Sequence, residues 1–251
     1  MSIQTVSGEI HSTESIAATA ERPARRDSVP AFSNAARIQQ SATANFEKRV
    51  LLWIARRMPP WVDSDDLTIL GFASMWLACG SYVIARWDHI GLLLATLALA
   101  LNWFGDSLDG TLARVRDRQR PRYGFYVDHM IDSVGALLLM GGLAASGYMD
   151  WRIALGMLVA FLLLSIEVYL ATYTLGSFRL SFWKFGPTEI RLLLAAGNIT
   201  LWLRPDARVS GTQFQLFDFG GAIAILGMTA MVVASAVAHT IRLYKLERIT
   251  H

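Results

Sequence analysis

The sequence predicts an all-α, polytopic membrane protein: six transmembrane helices preceded by an amphipathic helix on the membrane surface. Three observations predict it. Of the 251 residues, 53% are apolar and only 17% are charged, against roughly 25% charged in an ordinary soluble domain. The charges are clumped, so long apolar runs alternate with short charged ones. Each apolar run is close to the roughly 17–25 residues that cross a bilayer as a helix.

Residues 1–44 are rich in Ser, Thr, Ala and Arg and carry no helical apolar period, which predicts a disordered cytosolic tail. They contain no early apolar core, so a cleaved signal peptide is not expected. Residues 45–60 change character. Phe46, Val50, Trp53 and Ile54, with Arg56 and Arg57, predict an amphipathic juxtamembrane helix that Pro59-Pro60 end.

Residues 61–251 form the expected membrane domain. Its spans are predicted over Leu67–Ala85, Ile90–Leu112, Phe125–Ser146, Ile153–Leu175, Pro187–Leu203 and Phe217–Ala238, the fifth being the shortest. Glycines inside several of them suit close helix packing in lipid. The lone Cys79 rules out an intrachain disulfide framework and is expected to be a small buried residue. Trp151, Trp183 and Trp202 read as interfacial anchors.

Basic residues set the orientation. Lys48, Arg49, Arg56 and Arg57 precede the first span, and Arg114, Arg116, Arg118, Arg120 and Arg122 lie between the second and third. Arg179, Lys184 and Arg191 fall between the fourth and fifth, and Arg242, Lys245 and Arg248 follow the sixth. The opposite side has only Arg86, Arg152, Arg204 and Arg208. Both termini are therefore expected in the cytosol.

Polar residues at two span ends break the apolar pattern. Asp106, Asp109, Gly110, Ala113 and Arg114 fall on one helical face at the end of the second span, and Gly124, Asp128 and Asp132 are spaced by four at the start of the third. The Arg-rich stretch between them lets the chain turn back and set the two faces together. Four converging carboxylates near a membrane repel one another and are costly unless cations compensate them. Oxygen-only ligands favour a hard ion, Mg²⁺ or Mn²⁺, and two such ions could clamp a diphosphate. Arg114, one turn beyond Gly110, has the planar fork that suits phosphate oxygens. Gly110 and Ala113 would let a nucleotide approach the backbone.

Together these residues read Asp-x2-Asp-Gly-x2-Ala-Arg-x9-Gly-x3-Asp-x3-Asp across 106–132. That pattern resembles the signature of the CDP-alcohol phosphotransferases, integral membrane enzymes of phospholipid synthesis. Leu67-Thr-Ile-Leu-Gly71 also looks like that family's entry to its first span. The resemblance implies that Asp106, Asp109, Asp128 and Asp132 are metal ligands. It implies that Asp132 takes the proton from the acceptor hydroxyl, and that Gly110, Ala113, Arg114 and Gly124 belong to the CDP-binding part of the motif. The implied reaction is attack of an acceptor hydroxyl on the β-phosphoryl group of a CDP-alcohol, with CMP leaving. It further implies a homodimer among membrane lipids and no nucleic-acid partner.

The acceptor, a lipid or a small alcohol, stays open. Asp128-His-Met-Ile-Asp132-Ser133 is similar to the version in choline and ethanolamine phosphotransferases, which use diacylglycerol, but those chains are usually longer. Lys184 and Arg191, beside Glu189, are candidates for the phosphate of an anionic acceptor, against a plainer reading as topology-setting charge. His129 reads as structural, and Glu167 as an ionisable residue facing the bundle interior. Two other readings compete. A Mg²⁺-dependent intramembrane prenyltransferase also has Asp-rich helices, but lacks the Gly110-x2-Ala113-Arg114 continuation. A cation transporter or channel leaves Arg114 unexplained, since it would repel the cargo.

Overall fold

The computed structural model describes residues 44–175, 187–204 and 215–247. The expected tail, apart from Ala44, lies outside them, as do Arg179, Trp183, Lys184, Arg208 and Arg248. Seven helices make up the described residues: α1 (Ala44–Arg57), α2 (Ser64–Ala85), α3 (Ile90–Val115), α4 (Pro121–Ser146), α5 (Trp151–Leu175), α6 (Pro187–Leu203) and α7 (Leu216–Leu246). Five of them, α2, α3, α4, α5 and α7, are long and apolar enough to cross a membrane. The protein is thus an integral membrane protein by these spans. The fifth predicted span, α6, has the bounds read from the sequence, but at 17 residues it is only about 26 Å long, short of roughly 30 Å of hydrocarbon.

In lipid, helices associate through close packing and hydrogen bonds, because the surrounding tails are as apolar as the side chains. The crossing of α2 and α3 shows both. A Cβ on Gly105 would come 2.5 Å from the Leu67 carbonyl oxygen and 2.6 Å from the Gly71 nitrogen, so only glycine allows this approach. Beside it, the buried Asn102 Nδ2 donates to the Gly71 carbonyl at 3.0 Å. Asp106 is the next residue after Gly105, so this crossing fixes where its side chain begins.

α2 runs antiparallel to α3 and parallel to α4, where Gly135 faces Met75 and Gly142 faces Cys79. Cys79 is accordingly packed in an interhelical contact, though only half-buried. α6 lies antiparallel to α3: Asn198 Nδ2 donates to Thr96 at 3.2 Å, while Asn198 Oδ1 accepts from the buried Tyr82 hydroxyl at 3.1 Å. α7 runs parallel to α5, with Gly221 against Ile153 and Gly156 against Ile225. The large apolar core joins Tyr82, Leu92, Leu99 and Leu143 to Leu201 and Phe217.

The amphipathic α1, expected on the membrane surface, packs onto the bundle. Leu51 and Ala55 are buried against Leu67, Leu108 and Leu112, so part of its apolar stripe closes the end of the bundle. Its other face leaves Trp53 58% exposed, with the Arg57 guanidinium 4.2 Å from the ring centre. α7 continues to Leu246, eight residues beyond the predicted Ala238.

Candidate active site

The site is built where α3 ends and α4 begins. Five residues, Arg116–Arg120, connect the helices. Asp117 takes the left-handed conformation there, φ 54°, which Asp tolerates better than most side chains. The Arg118 N–H donates back to the Ala113 carbonyl at 2.9 Å and closes the helix end. Pro121 starts α4 at a position that needs no N–H. The turn's arginines then bind the opposite connection. The Arg116 guanidinium donates to the carbonyls of Pro59 (2.7 Å), Met58 (3.3 Å) and Val62. Arg118 lies 3.4 Å from Asp63, and Arg120 pairs with Asp65. Such exposed pairs contribute little stability each, but together they fasten the α3–α4 turn to the start of α2.

Asp106 on α3 and Asp128 and Asp132 on α4 each offer a carboxylate oxygen, and these three oxygens lie within 4.8 Å of one another. Asp106 and Asp128 are half-buried and Asp132 is exposed. Asp109, expected beside them, is turned toward α2: its Oδ2 accepts from the Thr68 hydroxyl at 2.7 Å, and its carbonyl accepts from Ser64 at 2.9 Å. The structure therefore brings three of the four aspartates together and holds the fourth against Thr68.

Arg191, on the first turns of α6, donates from Nη2 to Asp106 Oδ2 at 2.7 Å. Their side chains are only 17% and 28% exposed, which strengthens the pairing over a fully solvated one. A guanidinium from a third helix thus offsets part of the repulsion within the carboxylate group. Lys184, its predicted companion, lies outside the described residues.

The small-residue part of the motif is open. A Cβ on Gly124 would meet nothing within 4 Å, and one on Gly110 would meet only Arg114 Nη1, at 3.5 Å. Arg114 is exposed and donates from Nη2 to Thr111 Oγ1 at 3.0 Å, which steadies its guanidinium over this face. Ala113 is half-buried on the same helix. His129 packs within the helix bundle: Nδ1 lies 2.5 Å from the Phe125 carbonyl, and its ring packs edge-on to Tyr169 at 4.6 Å between centroids.

Several residues near the site had no readable signal. Glu47 on α1 accepts from Trp103 Nε1 (2.8 Å), Thr188 Oγ1 (3.0 Å) and Ser107 Oγ (3.4 Å), partners on α3 and α6. Thr68 belongs to the Leu67–Gly71 stretch already noted, and its four-residue offset from Ser64 puts it on the face toward α3. Farther away, Glu167 faces the bundle interior as expected and pairs with His239 Nδ1 of α7 at 2.6 Å.

A family model described as CDP-alcohol phosphatidyltransferase matches residues 65–241. That segment holds all four aspartates, Arg114 and Arg191, and excludes α1. Archaetidylinositol phosphate synthase of Pyrococcus horikoshii is 29% identical over 92 residues, which cover 37% of this chain and 46% of that protein. The match thus spans about half the length of this curated relative.

Proposed function

The chain belongs to the CDP-alcohol phosphatidyltransferase family, and on that footing we propose that it transfers a substituted phosphate from a CDP-alcohol to an acceptor hydroxyl in phospholipid synthesis, releasing CMP. The observation that carries this reading is the convergence of Asp106, Asp128 and Asp132 within 4.8 Å, at the mouth of an open Gly110–Arg114–Gly124 face.

The donor set fits a divalent cation. It is all carboxylate oxygen, partly shielded from water, and supported by second contacts on Asp106 and Asp109. Hard oxygen ligands of this kind suit Mg²⁺ or Mn²⁺. Asp106, Asp128 and Asp132 would hold the ion, with Asp109 joining if it leaves Thr68 for a second one. A bound pair would supply charge neutralisation for the diphosphate and its leaving oxygen.

The chain's own residues do the rest. Gly110, Ala113 and Gly124 leave room for the cytidine nucleotide beside the helix backbone. Arg114 binds diphosphate oxygens through its fork. Asp132, the most exposed of the three carboxylates, accepts the proton of the acceptor hydroxyl. The acceptor oxygen forms a bond to the β-phosphorus, the bond to the CMP oxygen breaks, and CMP leaves with both electrons of that bond. Arg191 binds the phosphate of an anionic acceptor, with Lys184 as its candidate companion. The Pyrococcus relative is named for the synthesis of archaetidylinositol phosphate, and that name supports a lipid-bearing donor and a phosphorylated polyol acceptor over diacylglycerol.

The same reading puts the site and both termini in the cytosol, because Arg56, Arg116, Arg120, Arg191, Arg242 and Lys245 gather at the site end while Arg86, Arg152 and Arg204 mark the other. It takes residues 61–251 as the catalytic membrane domain, 45–60 as its juxtamembrane helix and 1–44 as a tail. It also takes the working unit as a homodimer, which native mass measurement in mild detergent would test by showing a dimer.

The direct test of the activity is CMP release by the purified protein with Mg²⁺ or Mn²⁺. One arm pairs labelled CDP-diacylglycerol with inositol phosphate, glycerol phosphate or serine; another pairs CDP-choline with diacylglycerol. Acceptor-dependent CMP release in one arm is the expected result. No CMP release in any arm, from protein that is folded and binds Mn²⁺, would overturn the reading.

A further inference from the structure

Glu47 is a buried acidic residue, 9% exposed, and it lies on α1, outside the segment that matches the family. Its Oε1 collects three donors from two other helices: Trp103 Nε1 and Ser107 Oγ of α3, and Thr188 Oγ1 of α6. A buried carboxylate is costly unless several hydrogen bonds satisfy it. The donors also stand at telling positions. Ser107 is the residue after Asp106, and Trp103 is one turn before it. Thr188 is one helical turn before Arg191, the residue whose guanidinium sits 2.7 Å from Asp106. One carboxylate therefore ties together the two helix segments that carry that ion pair.

We propose that Glu47 is a positioning residue of the active site: by joining α3 to α6 it seats Arg191 on Asp106, so that Arg191 is a built-in counter-ion with which a divalent cation must compete. The inference rests on the cation reading given above. Asp106 Oδ2 cannot serve Arg191 and an incoming cation equally well, since the guanidinium repels the cation and occupies one lone-pair direction. Loosening Arg191 should therefore tighten cation binding. The sign separates this role from a generic one. Loss of a nearby negative charge, or damage to the fold, would weaken Mn²⁺ binding.

The experiment measures the Mn²⁺ dissociation constant of the full chain in detergent, from the electron paramagnetic resonance signal of free Mn²⁺, with no substrate present. Arg191→Ala should tighten binding about tenfold, as expected for removing a charge-assisted contact. Glu47→Ala and Thr188→Val should tighten it in the same direction by about two- to fivefold, through loss of hydrogen bonds alone. Glu47→Gln keeps an acceptor oxygen and should stay within about twofold of the parent. The double variant Glu47→Ala with Arg191→Ala should bind no more tightly than Arg191→Ala, because both act through one contact. Weaker binding by Glu47→Ala, or additive effects in the double variant, overturns the proposal. If Glu47→Ala does not fold, Thr188→Val decides, since it removes one partly exposed hydroxyl. A parent that binds no Mn²⁺ overturns the cation reading and this inference with it. A parent that binds, with Arg191→Ala no tighter, overturns this inference alone.

Discussion

Replacing Gly105 by Ala adds one methyl group at the point where α2 and α3 come closest. The new Cβ would lie 2.5 Å from the Leu67 oxygen, 2.6 Å from the Gly71 nitrogen and 2.8 Å from the Gly71 Cα, where ordinary contacts begin near 3.4 Å. All three atoms are backbone, so no side chain can swing aside. The helices must part by about 1 Å, and overpacking of this kind costs about 1–3 kcal/mol. Separation also stretches the 3.0 Å Asn102–Gly71 hydrogen bond, worth about 1 kcal/mol. Because Asp106 follows directly, its carboxylate is displaced relative to Asp128 and Asp132. A misplacement of about 1 Å in reacting groups can cost about 10²-fold in rate. The assay is CMP release together with thermal unfolding in detergent. Gly80→Ala, on the same α2, is the control, since a Cβ there meets nothing within 4 Å. It should leave both measurements unchanged. If Gly105→Ala keeps parental rate and stability, the close crossing does not set the site geometry and the argument fails.

The remaining predictions concern the chemistry and one distant pair. Asp132→Asn should lower turnover about 10²–10⁴-fold while calorimetry still detects donor binding; near-parental turnover would remove Asp132 from its role as base. Arg114→Ala should weaken donor binding as well as slow the reaction, and Arg114→Lys should recover only part, because an ammonium lacks the bidentate fork; undiminished donor affinity would count against the phosphate contact. Chelation with EDTA should abolish CMP release and Mg²⁺ or Mn²⁺ should restore it; activity that survives thorough chelation ends the cation reading. His239→Leu should lower the unfolding midpoint, since it leaves Glu167 without its 2.6 Å partner. The loss should be smaller than the roughly 3–5 kcal/mol of a fully buried broken pair, because His239 is 30% exposed. Adding Glu167→Leu should recover most of it, and failure to do so would mean the pair does not act as a unit.

Helix limits were legible wherever an apolar run ended in a sharp local signal. The Arg-rich stretch marks the α3–α4 junction, although the helices run three residues past Leu112 and start four before Phe125, and the motif spacing anticipated the grouping of Asp106, Asp128 and Asp132. The end of α7 was not legible, because hydropathy reports depth in the bilayer. His239, Arg242 and Lys245 end the apolar run at Ala238, yet the backbone ladder continues to Leu246. The site shows the same division. Periodicity along one helix brings Asp106 into register with Arg114, but nothing in one sequence couples Asp106 to Arg191, 85 residues on. Nor could it reveal that Asp109 would turn to Thr68, since both orientations suit the same helical position. Glu47 was unreadable for a related reason: a lone acid in an amphipathic helix has the pattern of a solvated residue, and its donors lie 56, 60 and 141 positions away.

The length of α7 has a consequence for how the protein meets membranes of different thickness. Its 31 residues extend about 46 Å, some three turns more than roughly 30 Å of hydrocarbon requires. Those surplus turns carry Arg242 and Lys245. Sinking the helix would pull their charges into the acyl chains, and raising it would expose the apolar turns near Phe219 and Ile223 to water. α7 therefore resists a shift in depth, and tilt is one way for it to meet a thicker or thinner bilayer. Since α7 runs alongside α5 and is pinned to it by Glu167 and His239, that tilt would pass to α5, whose Tyr169 packs on His129 of α4. Bilayer thickness would in this way bear on the α4–α5 contact beside the aspartates.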